Sequence, residues 1–399
     1  MFKSLSFKVI IFGFIFTFFS SFGQSFFLGL FNSSIRDALS ITQGQFGTIY
    51  ASATLLSSFL LIWIGKKIDD INIFNFAFFV TLLLSFSCFF FSKISSITFL
   101  FIGIFLMRFS GQGMMSHTAT TTISRYFTKS RGKALSTSWF GLSSAEFILP
   151  VLIVYLLTVT SWQNLWIYIS ILVLIFLPIS SFVLVKNLNF DSREETNQQE
   201  FNEKIKQWKR IDVLKDYRFY IICLNMLAMP WIATGVFIYQ SFIAESKGWG
   251  TFVIAQSFMV YSILSVITLL VAGFLIDKFT SRKLLIFMNI PLIISTLILF
   301  YFDIPISAFI FLGLIGISNG LANVLGSSTW AEIYGVRYIG SIKALTTALM
   351  VFSTAFGTAL FGLLIDNGFS IEQIAVVSFF YIAVATVLLF LIRNKLNPQ

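Results

Sequence analysis

Two residues of opposite charge, Arg108 and Glu146, stand inside apolar stretches of the sequence. Arg108 lies in a stretch that begins near Ile97, and Glu146 lies in the next apolar stretch along the chain. If both stretches cross a membrane, each charge is about 11 or 12 residues from one face, near the middle of a ~30 Å hydrocarbon layer. Charges are costly at that depth, so they mark a functional site or a pair that neutralises itself.

Arg108 has the chemistry to bind an anion. Its guanidinium presents a planar fork of N–H donors that matches two oxygens of a carboxylate or phosphate. On a straight α-helix it shares a face with Gly111, Gln112 and Met115, at spacings of three, four and seven residues. We therefore expect an anion-binding site around Arg108 and Gln112.

Glu146 is the expected partner of Arg108 and the candidate for proton coupling. A substrate that captures Arg108 would release Glu146 to take up a proton, which would couple the two movements. The alternative is a static ion pair between neighbouring helices, although buried ion pairs contribute little to stability.

The composition is that of a protein embedded in a membrane. Of 399 residues, 57% are hydrophobic and only 11% are charged, whereas soluble domains have roughly 25% charged residues. The net charge of +10 does not indicate a nucleic-acid partner, because the basic residues stand in short gaps between apolar stretches. One histidine and two separate cysteines offer no metal cluster, so we expect no metal, no cofactor and no catalytic site.

Twelve apolar stretches are long enough to cross a membrane as helices. They lie at residues 8–30, 46–64, 73–91, 97–122, 134–157, 163–185, 219–241, 251–276, 283–301, 305–331, 342–365 and 371–392. The one long polar segment, residues 186–218, has eight basic and seven acidic residues and is typical of a solvated linker. The sequence thus predicts an all-α membrane protein with twelve transmembrane helices, divided into a six-helix half (1–185), a linker (186–218) and a second six-helix half (219–399).

Lysine and arginine predict the orientation. Twenty-three of the 27 lie in the termini, the linker and the loops on one side, three lie on the other side, and Arg108 lies within the membrane. Because cytoplasmic loops hold the excess of Lys and Arg, both termini are predicted to be cytoplasmic. The basic, apolar N-terminus is expected to be an uncleaved first helix, since its apolar stretch is long and many spans follow.

The two halves repeat with an offset of 208 residues. The aligned residues are Phe31-Asn32-Ser33 with Tyr239-Gln240-Ser241, Gly65 with Gly273, Asp69 with Asp277, Tyr126 with Tyr334, and Gly132 with Gly340. One offset holds from the first span to the loop after the fourth. Two parallel repeats of six helices are a transporter architecture.

The loop between the second and third spans of each half completes a resemblance to the major facilitator superfamily that covers the whole chain. The second-half loop reads Gly273-Phe-Leu-Ile-Asp277-Lys278-Phe-Thr-Ser281-Arg282-Lys283, which has the signature glycine, aspartate and basic residues. The first-half loop, Gly65-Lys66-Lys67-Ile-Asp69-Asp70, departs from the signature because an acid follows its aspartate and the basic tail is missing.

A narrower resemblance is to bacterial members of the monocarboxylate-transporter type. It rests on Arg131-Gly132-Lys133-Ala134-Leu135-Ser136 and on the stretch from Ala331 to Gly340. Relatives that bind carboxylates often use a cation in the eighth or eleventh span. Neither span has one in its interior here, so the resemblance does not extend to a monocarboxylate substrate.

The superfamily resemblance implies a central cavity lined by equivalent faces of the fourth and tenth spans. The repeat offset places Asn319 and Asn323 of the tenth span opposite Gly111 and Met115. The expected substrate-binding residues are Arg108, Gln112, Asn319 and Asn323, with Gln24 and Trp231 as weaker candidates.

The signature loops imply a gate on the cytoplasmic side. Asp69 and Asp277 stand at helix ends, where a carboxylate can accept hydrogen bonds from a helix N-terminus and pair with Arg or Lys. Such a latch would break when the cytoplasmic side opens, and glycine would allow close helix approach. The expected gating residues are Gly65, Asp69, Arg131, Gly273, Asp277, Arg282 and Lys283. The alternative is that these are ordinary loop charges.

The sequence therefore predicts a secondary active transporter in the cytoplasmic (inner) membrane of a bacterium, monomeric and working by alternating access. We expect proton-coupled symport, or exchange with a counter-substrate, of a small organic anion or zwitterionic metabolite. The alternative within transport is efflux of amphipathic compounds. From another class, the alternatives are a membrane sensor and a membrane-embedded enzyme, although no output domain and no catalytic constellation is recognisable.

Overall fold

The structure, a computed structural model, describes residues 2–127, 131–186, 207–335 and 337–396. Within these ranges the chain is helical, with turns and short connections but no β-strand. Twelve stretches in the same ranges are long and apolar enough to cross a membrane, one at each predicted span. The prediction of an all-α protein with twelve transmembrane helices is confirmed.

The chain forms two compact units. The first comprises Met1–Glu194 and Phe237–Ser241, and the second Glu195–Val236 and Phe242–Gln399. The helices of the first half are α1 (Phe2–Ser20), α2 (Ser25–Leu28), α3 (Asn32–Leu39), α4 (Gln43–Ile64), α5 (Ile73–Phe91), α6 (Ile97–Met107), α7 (Ser116–Tyr126), α8 (Arg131–Val159) and α9 (Trp162–Val185). Those of the second half are α10 (Arg210–Lys215), α11 (Tyr217–Ile238), α12 (Gln240–Ser246), α13 (Thr251–Phe279), α14 (Ser281–Leu284), α15 (Ile290–Tyr301), α16 (Ile306–Tyr334), α17 (Ile339–Asp366) and α18 (Ile371–Leu391).

Capping boxes set where two of the spans begin. The Thr42 hydroxyl accepts from the backbone N–H of Gln45 (3.2 Å), whose side chain accepts in return from the N–H of Thr42 (3.0 Å). Ser370 and Gln373 repeat the arrangement at the start of α18. Each box satisfies two N–H groups that the first helical turn leaves unpaired.

The first span is interrupted. After α1 ends at Ser20, a 3-10 turn covers Ser21–Gly23, and Gln24 is extended (φ −82°, ψ 153°) before α2 begins at Ser25. The predicted first span, residues 8–30, is therefore not a single α-helix, because it is broken at Gln24. Backbone groups freed at this depth need partners within the protein, because the hydrocarbon layer offers none.

The fourth span changes helix type at Arg108. A π-helical segment, Arg108–Met115, joins α6 to α7. Gly111 and Gly113 weaken the α-helix here, and the Ser110 hydroxyl donates to the carbonyl of Leu106 (2.7 Å). Because a π segment bonds residues i and i+5, the α-helical spacings by which we assigned Gln112 and Met115 to the Arg108 face do not apply across it.

Small residues let α1 and α8 pack closely. The Thr17 hydroxyl donates to the carbonyl of Ser138 (2.5 Å), and a Cβ atom on Gly141 would collide with the carbonyl of Phe14. The first and fifth spans run in the same direction, since three crossings lie between them and the chain reverses direction four times. This register puts Glu146 level with about residues 19–25, where the first span is broken.

An aromatic cluster surrounds Trp166, near the start of α9 in the first unit. The Trp166 ring lies 5.6 Å from Phe27, 5.0 Å from Phe31 and 4.7 Å from Phe91, measured between ring centres. It joins the segment after the break to α5 and α9. Some of the many phenylalanine side chains thus pack in the interior of the first unit.

Part of the predicted linker is packed against the second unit. The backbone N–H of Trp208 donates to the carbonyl of Tyr334 (3.0 Å), and Val213 is fully buried. The Asp216 carboxylate accepts from Arg218 Nε (2.8 Å) and from the Tyr334 hydroxyl (3.0 Å). Residues 207–216 are therefore only partly solvated: Trp208, Val213 and Asp216 are buried, whereas residues 209–211 and 214–215 are exposed. Residues 187–206 of the predicted linker lie outside the described ranges.

Candidate functional site

Arg108 begins the π segment and is 3% exposed. Its Nη1 atom donates to the carbonyl oxygen of Gly23 across 3.0 Å. The centre of its guanidinium lies 5.3 Å from the centre of the Tyr50 ring. Its Nε atom has no hydrogen-bond partner within the described part of the chain. The cation is thus held against the break in the first span, with donor capacity left for a ligand.

Gly23 and Gly111 allow the broken span and the π segment to touch. A Cβ atom on Gly111 would lie 2.7 Å from the backbone nitrogen of Gly23 and 2.9 Å from its Cα. Backbone atoms cannot give way as side chains do, so only glycine fits. This contact sets the short distance over which Arg108 reaches the Gly23 carbonyl.

Tyr50 on α4 is a site residue that sequence reasoning missed. It is fully buried, and its ring faces the guanidinium of Arg108, an arrangement that attracts a cation electrostatically. Its hydroxyl lies near the Ser25 side chain without reaching hydrogen-bond geometry. The signal in the sequence was weak: one tyrosine in an apolar span of a chain with 51 Phe and 12 Tyr residues.

Glu146 lies on α8 and is 9% exposed. The ion pair that we expected between Arg108 and Glu146 is not present: Arg108 turns to Gly23 and Tyr50, and Glu146 makes no hydrogen bond or ion pair with any described residue. Two opposite charges thus stand at the same depth without neutralising each other.

The other predicted binding residues divide between the two units. Gln24 is the extended residue of the break, and Gln112 follows Gly111; both are half-buried in the first unit. In the second unit the Asn319 amide donates to the Ser265 hydroxyl (3.0 Å), and Asn323 is exposed. The structure therefore gathers Gln24, Gln112 and Arg108 at the break in the first span.

Trp231, the remaining predicted binding residue, is 3% exposed in the second unit. Its ring is surrounded by Phe356 (6.1 Å), Phe361 (6.1 Å) and Tyr381 (5.3 Å), measured between ring centres. Such an environment is typical of a packing residue.

In the first half, the signature loop is tied to the end of the fourth span. The Asp69 carboxylate forms an ion pair with Arg125, which also donates from Nη1 to the carbonyl of Ile68 (3.0 Å). The carbonyl of Gly65 is 3.0 Å from Nε2 of His117. Asp69 and Gly65 thus hold the loop against α7 through two separate contacts.

In the second half, the carboxylate belongs to the end of the tenth span, and the signature loop provides the donors. Glu332, at the end of α16, accepts from the backbone N–H of Ser281 (2.9 Å) and of Arg282 (3.1 Å), at the start of α14. Its carboxylate is also 3.9 Å from Arg282 Nε. Glu332 was not among the predicted gating residues, although it lies two residues before Tyr334, one of the residues that the 208-residue repeat aligns.

The four other predicted gating residues are Gly273, Lys283, Arg131 and Asp277, and the structure describes the surroundings of the first two. A Cβ atom on Gly273 would meet no described atom within 4 Å, so the expected close helix approach at Gly273 is wrong. Lys283 is exposed. The side chains of Arg131 and Asp277 lie outside the part of the chain that the structure describes.

Comparisons with known proteins bear on the fold. A bacterial homologue of the human lysosomal transporter Spinster, in an inward-facing and occupied conformation, matches with 13% identity and a TM-score of 0.73, over 98% of this chain and 97% of that one. The nucleoside transporter NupG matches with 13% identity and a TM-score of 0.72, over 98% of each chain. At this identity both show the fold alone, and no curated protein matches the sequence.

The family model described as the Major Facilitator Superfamily matches residues 13–358 and 220–399. Together these matches span both halves, with their twelve candidate membrane helices. The chain therefore belongs to the Major Facilitator Superfamily, a family of transporters and not of enzymes.

Proposed function

We propose that this protein moves a small organic anion or zwitterionic metabolite across the cytoplasmic membrane of a bacterium, by proton-coupled symport or by exchange. The observation that carries the proposal is Arg108, a buried cation at mid-span whose Nε has no partner among the described residues. A cation is costly at this depth, and its fork suits a carboxylate or a phosphate.

The surroundings of Arg108 support a binding site at the break. Half-buried Gln24 and Gln112 bring amide groups, and the Tyr50 ring forms a wall. Broken helices beside a mid-membrane site are a recurring feature of transporters, because extended backbone is tolerated where it lines a cavity. From the second half, Asn319 and Asn323 remain proposed substrate contacts on the repeat argument alone, and Trp231 of the seventh span remains a weaker proposed contact.

Coupling and gating are assigned to residues outside the anion site. Glu146, buried and unpaired among the described residues, is the proposed proton-coupling group. Asp69 with Arg125, and Glu332 with Ser281 and Arg282, are the proposed gate contacts. We further propose that Gly65, Arg131, Asp277 and Lys283 belong to the same gate, and that both termini are cytoplasmic, as the distribution of Lys and Arg supports.

The narrower resemblance to the monocarboxylate-transporter type does not identify the substrate, and the solved structures matched above are a Spinster homologue and NupG. Carboxylate-binding relatives often use a cation in the eighth or eleventh span, whereas the cation proposed to bind a carboxylate here, Arg108, is in the fourth span. Efflux of amphipathic compounds is the alternative, and a buried arginine with an unused donor makes it the less favoured one.

A thermal-shift screen of the purified protein tests the proposal. The compounds are organic acids, amino acids and phosphorylated metabolites, applied to the wild type, Arg108→Ala and Arg108→Lys, with Lys93→Ala as the matched control at an exposed cation. We expect an anionic compound to stabilise the wild type and the control but not Arg108→Ala. Equal stabilisation of all four proteins would make Arg108 structural and favour neutral or amphipathic cargo.

A further inference from the structure

We infer that Arg108 and Glu146 bind the two ends of one zwitterionic substrate, whose carboxylate pairs with Arg108 and whose ammonium group pairs with Glu146. The inference rests on the proposed anion site and narrows its substrate to molecules that have both charges. Its support comes from three features of the first unit.

The first feature is that the two charges are separate. Arg108 interacts with the Gly23 carbonyl and the Tyr50 ring, and Glu146 pairs with no described residue. A lone ionised carboxylate in a low-dielectric interior costs several kcal/mol, so a proton or a cationic group has to accompany it. The polypeptide supplies no such group within the described residues.

The second feature is that the two charges lie at one depth. Ser138 and Gly141 of α8 contact Thr17 and Phe14 of α1, which places Glu146 level with about residues 19–25. Arg108 contacts Gly23 in the same interval. Helix α8 also packs against α2 and against the turn Ser21–Gly23. Both residues therefore lie at the level of the break in the first span.

The third feature is the lack of a competing cation near Glu146. The elements packed against α8 bring Lys3, Lys8, His117, Arg125, Tyr126 and Tyr168, and α8 itself adds Arg131, Lys133 and Tyr155. The lysines and arginines among them lie toward the ends of their helices, and His117 is bonded to Gly65. Tyr155 and Tyr168 are exposed. Within the described side chains, the position beside Glu146 is left for a ligand.

Besides symport and exchange with a counter-substrate, the inference adds a third coupling mode, in which substrate and protons exchange across the membrane. The Glu146 carboxylate binds either a proton or a substrate ammonium group, and not both at once. Binding of a neutral zwitterion to the protonated protein therefore releases one proton to solution, and the charge is balanced on both sides. Exchange of substrate against protons follows from this competition.

The test uses two matched series of probes. One consists of glycine, 3-aminopropanoate, 4-aminobutanoate, 5-aminopentanoate and 6-aminohexanoate. The other consists of the carboxylates of the same lengths without the amine. Binding to the full chain in detergent is measured by titration calorimetry. We expect one aminocarboxylate to bind at least about 30-fold more tightly than its amine-free counterpart, the ratio that a buried charge pair of about 2 kcal/mol gives.

Substitutions at Glu146 test whether its carboxylate causes the difference in affinity between the two series of probes. Glu146→Gln should abolish the preference for the amine while leaving binding of the amine-free carboxylate unchanged. Glu146→Asp keeps the charge on a side chain one methylene shorter, so its preferred probe should be longer by one methylene. Glu245→Gln, at an exposed glutamate, is the control and should bind as the wild type does. Melting temperatures without ligand identify any variant that fails to fold.

The outcomes separate the inference from the anion site. If both series bind equally to the wild type and Arg108→Lys weakens both, the inference is wrong and the anion site stands. If the aminocarboxylates are preferred and Glu146→Gln keeps that preference, the ammonium group binds elsewhere and the inference is also wrong. If no probe binds, or Arg108→Lys changes nothing, both the inference and the anion site fall.

Discussion

Nη1 of Arg108 donates to the carbonyl oxygen of Gly23 across 3.0 Å, at the point where the first span leaves the α-helix. The bond satisfies a backbone acceptor that the break exposes, and it does so with the residue that we assign to the substrate. A ligand anion at Arg108 therefore acts directly on the geometry of the broken span. This link gives a physical route from binding to a change in helix shape.

The contact between Gly23 and Gly111 predicts contrasting effects of two glycine substitutions. Gly111→Ala puts a Cβ atom 2.7 Å from the Gly23 backbone nitrogen, which should destabilise the protein by about 1–3 kcal/mol. Gly273→Ala, inside α13, meets no described atom within 4 Å and should leave stability unchanged or raise it by up to about 1 kcal/mol, because alanine favours the helix more than glycine does. Melting temperatures in detergent measure both. Similar melting temperatures for the two variants would mean that the break and the π segment do not touch.

The Tyr50 ring should matter more than its hydroxyl. Tyr50→Phe keeps the face that lies 5.3 Å from the guanidinium and should leave stability and ligand binding nearly unchanged. Tyr50→Leu removes a cation–π contact of up to about 2 kcal/mol and should lower both. Thermal shifts with and without the ligand from the screen measure the two effects. Equal losses in the two variants would move the role to the hydroxyl and to its neighbour Ser25.

Glu146 should control the response to a pH gradient. In proteoliposomes, Glu146→Gln should lose substrate movement driven by an imposed pH gradient, while exchange of labelled for unlabelled substrate continues at saturating concentration. The reason is that the amide can neither take up nor release a proton. Glu245→Gln, at an exposed position, serves as the control. Gradient-driven movement that survives in Glu146→Gln would remove this residue from coupling.

The two gate contacts should differ in stability. Asp69 and Arg125 have side chains that are 65% and 31% exposed, so a double-mutant cycle with Asp69→Asn and Arg125→Gln should give a coupling below about 1 kcal/mol. Glu332→Gln weakens two charge-assisted bonds to the N–H groups of Ser281 and Arg282 and should cost about 1–2 kcal/mol. Denaturation midpoints test the order, and the reverse order would show that the first-half contact is the stronger gate.

Hydropathy was sufficient to predict the twelve spans, because each needs a long apolar stretch that few other structures require. The same stretches predict the depth of Arg108 and Glu146 in the membrane, since 1.5 Å per residue converts position into depth. The repeat at 208 residues also placed Asp69 at the end of a helix, where the structure finds it beside Arg125. These features depend on length and polarity along one segment.

What the sequence did not predict depends on contacts between segments or on rotation about a helix axis. The break at Gln24 and the π segment at Arg108 leave the apolar pattern unchanged, so hydropathy does not register them. Pairing of Arg108 with Glu146 was inferred from equal depth, which says nothing about the direction of a side chain. Tyr50 contacts Arg108 from a different span, and no local pattern marks it.

The most direct test of the central claim is exchange transport by Arg108→Lys in proteoliposomes, with the labelled anionic or zwitterionic compound that stabilises the wild type most. Lysine keeps the positive charge but loses the fork and the stacking on Tyr50, so we predict a fall in exchange rate at low substrate concentration of about 30-fold, which corresponds to about 2 kcal/mol. Lys93→Gln should transport at the wild-type rate. An unchanged rate in Arg108→Lys and in Arg108→Gln would contradict the assignment of Arg108 to the substrate.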